Sequence, residues 1–504
     1  MITELDLGQY SNFRGVEREA LRVTQDGQIA TTMHPKSLGS KLANDTITVD
    51  FSESLLELIT KPHNSIDKAL DELKSISAFC AQNIAKDEYL LNASMPVPTV
   101  ENDINIAYFG TSNSGKMKEI YRRGLAVRYG KIMQAIAGVH YNFSFDTSLL
   151  NLLGTQTGLN QNQLYFSVIN HYFEAMWLIP YLFGASPICA KSSVKEKPAY
   201  LQDFDAEHYI GEYATSLRMS DLGYQSPAQS DLYISYKDVS SYVHGLIQAT
   251  DTPYQAFVDL GLYNVKGDLQ QLNTSILQIE NEYYSSIRPK QIAKRGQRPA
   301  CALLQSGVRY LEVRLIDINP FTPLGVDKNT AVFIELMLMS ALLKPVKVYH
   351  RDATLRYQNN LRQVIQFGRK PGLQLLDEDV RNITLKSYGY RLLDEMQKTA
   401  LFMGENYTNA LEDAYKKLDN IDKTPSSQMI ETSQSRGYLT SILDLSKKHH
   451  LEMLNHTLDQ AEQTKFTKQV EASLKNQSIL EHSDTCDIQS YIQAYYNSAG
   501  CDSK

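Results

Sequence analysis

An α+β fold built on an antiparallel sheet is what this sequence predicts, from two observations. Up to about residue 330, short strand-like runs alternate apolar and polar residues between longer helical stretches. Beyond that point the pattern is almost wholly helical, with Leu and Met recurring at i, i+3 and i+4. Alternation gives a strand one wet face and one packed face. That suits an antiparallel sheet, because fully buried parallel strands usually run continuously apolar.

The first strand is RGVEREALRV, residues 14–23. Its period of two places Glu17, Glu19, Leu21 and Val23 on one face and Arg18, Ala20 and Arg22 on the other. LLELIT follows, with Glu57 sharing a face with Leu55 and Ile59. SIDKALDELKSISAFCAQNIA then reads as a helix. In GVHYNFSF, Val139, Tyr141, Phe143 and Phe145 point one way and His140, Asn142 and Ser144 the other. NQLYFSVINHYFEAMWLIPYLF is helical, with Trp177 in its core face. RYLEVRLIDI sets Leu311, Val313 and Leu315 against Tyr310, Glu312 and Arg314. The helical part, about 331–504, contains AVFIELMLMSALL, SYGYRLLDEMQKTALFM and YLTSILDLSKKHHLEMLNHTLDQAEQ. TPSSQ at 424–428 reads as a loop inside it, and the closing SAGCDSK as a frayed end. No internal repeat is visible. The chain is expected to be a single catalytic unit, with the sheet in about 10–330.

If these strands pair, carboxylates, one imidazole and one guanidinium converge on the wet face. An exposed sheet face usually mixes Lys, Thr and Gln. Glu17 and Glu19 repel each other side by side, and a bound cation would cancel that repulsion. Hard oxygen donors with one His suit Mg²⁺ or Mn²⁺. Solvent alone is the competing reading, and periodicity does not establish that the strands are neighbours.

Composition narrows the class. The 504 residues carry 50 Lys and Arg against 57 Asp and Glu, a net charge of −7. That mild acidity argues against a nucleic-acid partner, which needs a basic face. Cys80, Cys189, Cys301, Cys486 and Cys501 are scattered without a CxxC pair, so a structural zinc knuckle is not expected. The N-terminus MITELDLGQYSNF lacks an apolar signal core. The longest apolar stretch, AMWLIPYLFGA, is about half the ~20 residues that span a bilayer. A cytoplasmic, reduced protein without membrane segments is expected.

Three motifs invite caution. GTSNSGKM at 110–117 begins like a phosphate loop, but Met117 stands where Ser or Thr should offer a hydroxyl. A serine-rich turn opening the helix KMKEIYRRGLAVRYG is the better reading, with amides able to hold an anion. SIRPKQIAKRGQRPA gathers Arg288, Lys290, Lys294, Arg295 and Arg298 in what reads as one loop, either solvated or meeting a polyphosphate. His449-His450 reads as a surface pair on a helix.

GVEREALRV, TVDFSESLLELIT, GTSN, YRRGLAVRYG, GVHYNFSF, WLIPYLFGASP, YATSLRMSDLGY, LQIENEYYSSIRPK, YLEVRLIDINPF and GRKPGLQL, in that order, resemble the proteobacterial type of glutamate–cysteine ligase. The matches run from about residue 14 to about 375. Phe109 before GTSN, where a Tyr is usual, and the region after 375 depart from the pattern. The resemblance implies a glutamine-synthetase-like fold, whose curved antiparallel sheet forms an active-site funnel. It implies ATP-dependent joining of the L-glutamate γ-carboxyl to the L-cysteine amine through γ-glutamyl phosphate, giving γ-glutamylcysteine, ADP and phosphate. By matching motifs, Glu17, Glu19, Asp50, Glu57, His140 and Glu312 would hold Mg²⁺ (or Mn²⁺). Arg314 with Glu312 would act at the reacting groups. Arg218 would bind a carboxylate, and Phe51, Tyr121, Tyr224 and Tyr284 would form the cysteine-side pocket. Feedback inhibition by glutathione at the same sites is a further implication.

A related ligase that joins glutamate to another amine would keep the wet-face ligands and change only the aromatic pocket. A silent nucleotide-binding homologue would lack a ligand, whereas all the candidate ligands are present. Nothing after residue 375 is long enough for a second ATP-binding ligase domain.

Overall fold

In a computed structural model describing residues 7–223 and 226–497, the main sheet starts with β1 (Phe13–Thr24), β2 (Ile47–Val49), β3 (Leu55–Ile59), β4 (Glu88–Leu90) and β5 (Gly138–Ser144). β6 (Ile188–Ala190), β7 (Leu201–Asp203) and β8 (His208–Gly211) form a small separate sheet. β9 (Ile287–Lys290) and β10 (Tyr310–Asp317) then complete the main sheet. Its order is β2-β3-β1-β5-β10-β9, with β4 beside β1, and every pairing is antiparallel. The alternation of the four long runs thus reads correctly as an antiparallel sheet. The strands it missed are mostly three or four residues long, too short to show a period.

The packed face of the sheet presents Val16, Ala20, Val139, Tyr141, Leu311 and Val313, all buried. It is latched to the helix Lys328–Leu343, which is apolar all round and buried nearly throughout. The single acid of that helix, Glu335, is fully buried. It accepts hydrogen bonds from Arg14 at 2.7 and 2.9 Å, from the Tyr141 hydroxyl at 2.5 Å and from Tyr407 at 2.7 Å. Both carboxylate oxygens are thereby satisfied, the condition under which a buried ion pair is tolerated.

The C-terminal part is helical as expected, apart from a short hairpin pairing Gln374–Leu376 with Asn382–Thr384. Three local readings are corrected. TPSSQ is not a loop: Pro425 opens the helix Pro425–Arg436, and the fixed φ of proline suits a first helical position. His449 is buried, its Nε2 donating to the Pro320 carbonyl at 3.0 Å, so the His449-His450 pair is not a surface feature. YLTSILDLSKKHHLEMLNHTLDQAEQ is two helices, Tyr438–Asn455 and Gln460–His482, the second started by an Asp459–Glu462 capping box. Trp177 is fully buried, as read. Cys80, Cys189 and Cys486 are free thiols, but Cys301 is disulfide-bonded, so the expectation of a reduced chain does not hold there. SAGCDSK lies outside the described residues. No described helix is long and apolar enough to cross a membrane.

Candidate active site

The register of the sheet decides what meets what. Glu17 of β1 stands opposite His140 of β5, and Glu19 opposite Glu57 of β3. Glu312 of β10 stands opposite Asn142 of β5 on one side and Arg288 of β9 on the other. Directly paired residues of antiparallel strands share a face, so all of these groups project together. Between Val313 and Ile316 the register shifts, and Arg314 and Leu315 stand against His140 alone. That bulge leaves Leu315 in the core and turns Arg314 onto the polar face, a usual service of bulges beside functional sites.

This polar face floors a cavity of about 350 Å³. Glu17, Glu19, Asp50, Phe51, Glu57, Tyr121, His140, Tyr284, Glu312 and Arg314 all line it. Asp50 and Phe51 come from the turn between β2 and β3, Tyr121 from the helix Asn113–Tyr129, and Tyr284 from the segment before β9. Tyr224 lies outside the described residues. Arg218, expected to bind a carboxylate, lies just outside this lining. It is fully buried, its guanidinium fills the space that a β-carbon on Gly138 would need, and it donates to the Arg314 carbonyl at 3.1 Å. Asp317 is 3.9 Å away. Gly138 alternates in phase with His140 and Asn142, so Arg218 packs on the polar side of the sheet, beside the lining residues, and only a glycine at 138 permits that approach.

The charges on the floor are interlocked. His140 Nδ1 lies 3.4 Å from Glu17 and 3.6 Å from Glu312, and its Nε2 lies 3.7 Å from Glu19. Asn142 donates to Glu17 at 2.7 Å, and the Gly138 amide donates to Glu19 at 2.6 Å. Arg314 donates to Glu312 at 2.8 Å, and Lys290 Nζ lies 3.3 Å from the other Glu312 oxygen. Burial works to raise the Glu312 carboxyl, but Lys290, Arg314 and Arg288 outweigh it and hold the group well below its usual value. Glu57 goes the other way: burial, then the charges of Glu17, Asp50 and Glu19, push it well above. Burial also raises Glu19, with Asp50 adding to the rise.

Whether divalent cations fit can be judged from the donors themselves. Ligand atoms of Glu17, Glu57 and His140 lie within 4.8 Å of one another. His140 Nε2 and Asn142 Oδ1 are buried and make no hydrogen bond among the described residues. Buried carboxylates, one of them raised well above its ordinary value by burial and acidic neighbours, beside an imidazole nitrogen without a hydrogen bond are what a hard cation would satisfy.

Sequence reasoning missed several lining groups. Lys118 and Arg122 come from the helix that the phosphate-loop-like motif opens. Arg288 and Lys290 were read as loop residues, yet Ile287–Lys290 is strand β9, which carries both onto the polar face. The alternation Arg288, Pro289, Lys290 is too brief to signal this. Arg298 is not a loop cation either: it is buried against Glu280 at 2.6 Å. The amides of the GTSNSGK turn do hold anions, but internal ones. Thr111 N–H donates to Glu481 at 2.9 Å, and Asn113 N–H donates to Asp484.

Comparison with known proteins agrees with this picture. A family model described as glutamate-cysteine ligase matches residues 8–364. The chain is 40% identical over 495 residues to the glutamate–cysteine ligase of Pseudomonas fluorescens, covering 95% of this chain and 92% of that protein. It is 39% identical over 498 residues to the enzyme of Azotobacter vinelandii, covering 95% and 93%. A crystal structure of glutamate–cysteine ligase from Francisella tularensis in complex with AMP superposes with a TM-score of 0.97 at 52% identity, covering 99% of this chain and 100% of that one. A bifunctional glutathione synthetase from Pasteurella multocida shares the fold, with a TM-score of 0.71 at 24% identity over 89% of this chain and 53% of that one.

Proposed function

The chain belongs to the glutamate–cysteine ligase family, and from that premise we propose that the polar face of the sheet is where its reaction runs. The activity is ATP-dependent formation of γ-glutamylcysteine, the first step of glutathione biosynthesis. The observation that carries the placement is the convergence of Glu17, Glu19, Asp50, Glu57, His140 and Glu312 on one cavity floor.

These residues would hold Mg²⁺ or Mn²⁺, which supplies the positive charge that lets a triphosphate approach a carboxylate. The chain's own cations share that work. Lys290, Arg288 and Arg314 ring Glu312, on the β9 side of the floor where transferring phosphoryl oxygens would sit. The glutamate γ-carboxylate takes the γ-phosphoryl group there, and ADP leaves. The cysteine amine then attacks the γ-glutamyl carbonyl, and phosphate leaves. Arg218, packed over Gly138 on the polar side of the sheet, is assigned to a substrate carboxylate. Phe51, Tyr121 and Tyr284 are assigned to the cysteine side, where an aromatic surface suits a thiol-bearing side chain and a phenol hydroxyl can hold its carboxylate. Tyr224 is assigned to the same side. We read the cavity as the funnel of a glutamine-synthetase-like fold and the chain as one catalytic unit. Glutathione contains the γ-glutamylcysteine unit, so it would compete for this cavity.

The test is ADP release by the purified protein with Mg²⁺, ATP and glutamate, adding cysteine or a panel of other amines. Turnover that depends on cysteine is expected. Turnover with another amine instead would keep the floor chemistry and overturn the aromatic-pocket assignment.

A further inference from the structure

The helix Ile488–Tyr496 lines no part of the cavity, yet it packs against both of the cavity's walls. One wall is the helix Asn113–Tyr129, which supplies Tyr121 and Arg122. The other is the segment 279–284, which supplies Glu282 and Tyr284. Ile492 packs with Ile120 of the first wall and with Leu272, and Tyr121 and Ile279 pack against the same cluster. The Tyr496 hydroxyl donates to the Gln278 carbonyl at 2.7 Å and accepts from Asn273 at 2.9 Å.

Gln278 is the joint between the walls. Its side chain donates to the Tyr121 carbonyl at 3.2 Å, and its amide donates to Glu282 at 2.6 Å. Its Oε1 occupies the space that a β-carbon at Gly124 would need, so the two walls touch at a glycine. Just before this helix the same segment caps the first wall. Glu481 and Asp484 accept the Thr111 and Asn113 amides, and Asn113 Nδ2 donates to the Cys486 carbonyl at 2.8 Å. Carboxylates at a helix start satisfy amides left over by the helix and suit its positive end.

We propose that residues 481–496 form a clasp that sets the spacing of the two walls, with Asp484 and Tyr496 as positioning residues for the amine substrate. The inference rests on the assignment of Tyr121 and Tyr284 to the cysteine side. Among the described residues the clasp makes no hydrogen bond to the carboxylate floor or to strand β9. The second wall meets that strand through its Asn281 and Tyr283 carbonyls, which accept from Arg288 at 2.9 and 2.6 Å, so loosening the clasp acts first on the aromatic walls.

Steady-state kinetics of full-length Tyr496→Phe, Asp484→Asn, Ile492→Ala and Tyr121→Phe test this. Tyr496→Phe removes one hydroxyl and keeps the packing, so it reads the joint without endangering the fold. Losing that bond should raise the cysteine KM about fivefold, with kcat and the KM values for ATP and glutamate changed less than about twofold. In the Tyr496→Phe/Tyr121→Phe double variant the two effects should fall well short of multiplying, because they act through one wall. Clasp variants with an unchanged cysteine KM beside an impaired Tyr121→Phe would overturn the clasp alone. So would a loss spread equally over all three substrates. A wild-type cysteine KM in Tyr121→Phe would overturn the pocket assignment and the clasp's role with it.

Discussion

Glu19 and Glu57 face each other directly across β1 and β3, two carboxylates in the position where a sheet normally avoids like charges. Both line the cavity floor, and both carboxyls are raised above their ordinary values, first by burial. An arrangement that opposes folding is what a site that gathers charge for a ligand would carry.

The pair predicts a pH-dependent stability. With its folded-state value well above 4.5, Glu57 binds more protons folded than unfolded across that interval. Metal-free protein should therefore lose stability as pH rises from about 5 to about 8. Glu57→Gln removes this component, so the wild type should lose more Tm over that range than the variant. Mg²⁺ should raise the wild-type Tm more at pH 8 than at pH 5, and raise that of the variant little. Parallel Tm–pH curves for the two chelator-treated proteins would contradict the prediction.

Lys290 sits 3.3 Å from Glu312 and is the first of the charges holding that carboxyl low. In Lys290→Met the Glu312 carboxyl should rise, and the acid limb of kcat/KM should move to higher pH by on the order of one unit. A pH–rate profile with an unmoved acid limb would show that another group governs it.

Glu335 tests the packing behind the site. Glu335→Gln leaves Arg14 buried with its charge uncompensated, so unfolding in urea should show a loss of about 3 kcal/mol. The KM values should stay near wild type, because neither residue lines the cavity. An unchanged urea midpoint would contradict the role given to this pair.

Much of this was legible in the sequence, for a physical reason. β1, β3, β5 and β10 are long enough to show alternation, and their polar residues are mainly acids and a histidine instead of the usual surface mixture. That pattern marked Glu17, Glu19, Glu57, His140, Glu312 and Arg314 before any pairing was known. Asp50 and Phe51 lie in a turn without a period, so the family motif alone pointed to them. Lys290 was hidden in a four-residue strand. The burial of Arg218 depends on Gly138, far away in sequence, and the clasp on Gln278 and Tyr496, 218 residues apart. Contacts of that kind leave no local trace.

Asn142 should matter through Glu17, to which it donates at 2.7 Å. Asn142→Leu removes that donor and leaves Glu17 unoriented, so metal affinity should weaken by roughly 10- to 100-fold, the usual effect of losing a supporting hydrogen bond. Titration calorimetry with Mn²⁺ that returned the wild-type affinity would contradict this.

The most direct measurement is Mn²⁺ binding to the full-length protein, followed by electron paramagnetic resonance, in the wild type and in Glu312→Gln and Glu17→Gln. The placement of the reaction on the polar sheet face predicts saturable binding to the wild type. It predicts binding at least about tenfold weaker in both variants, with cysteine-dependent ADP release lost alongside. Equal binding by all three proteins would mean that the carboxylate floor does not hold the cation, and the reaction would have to be placed elsewhere.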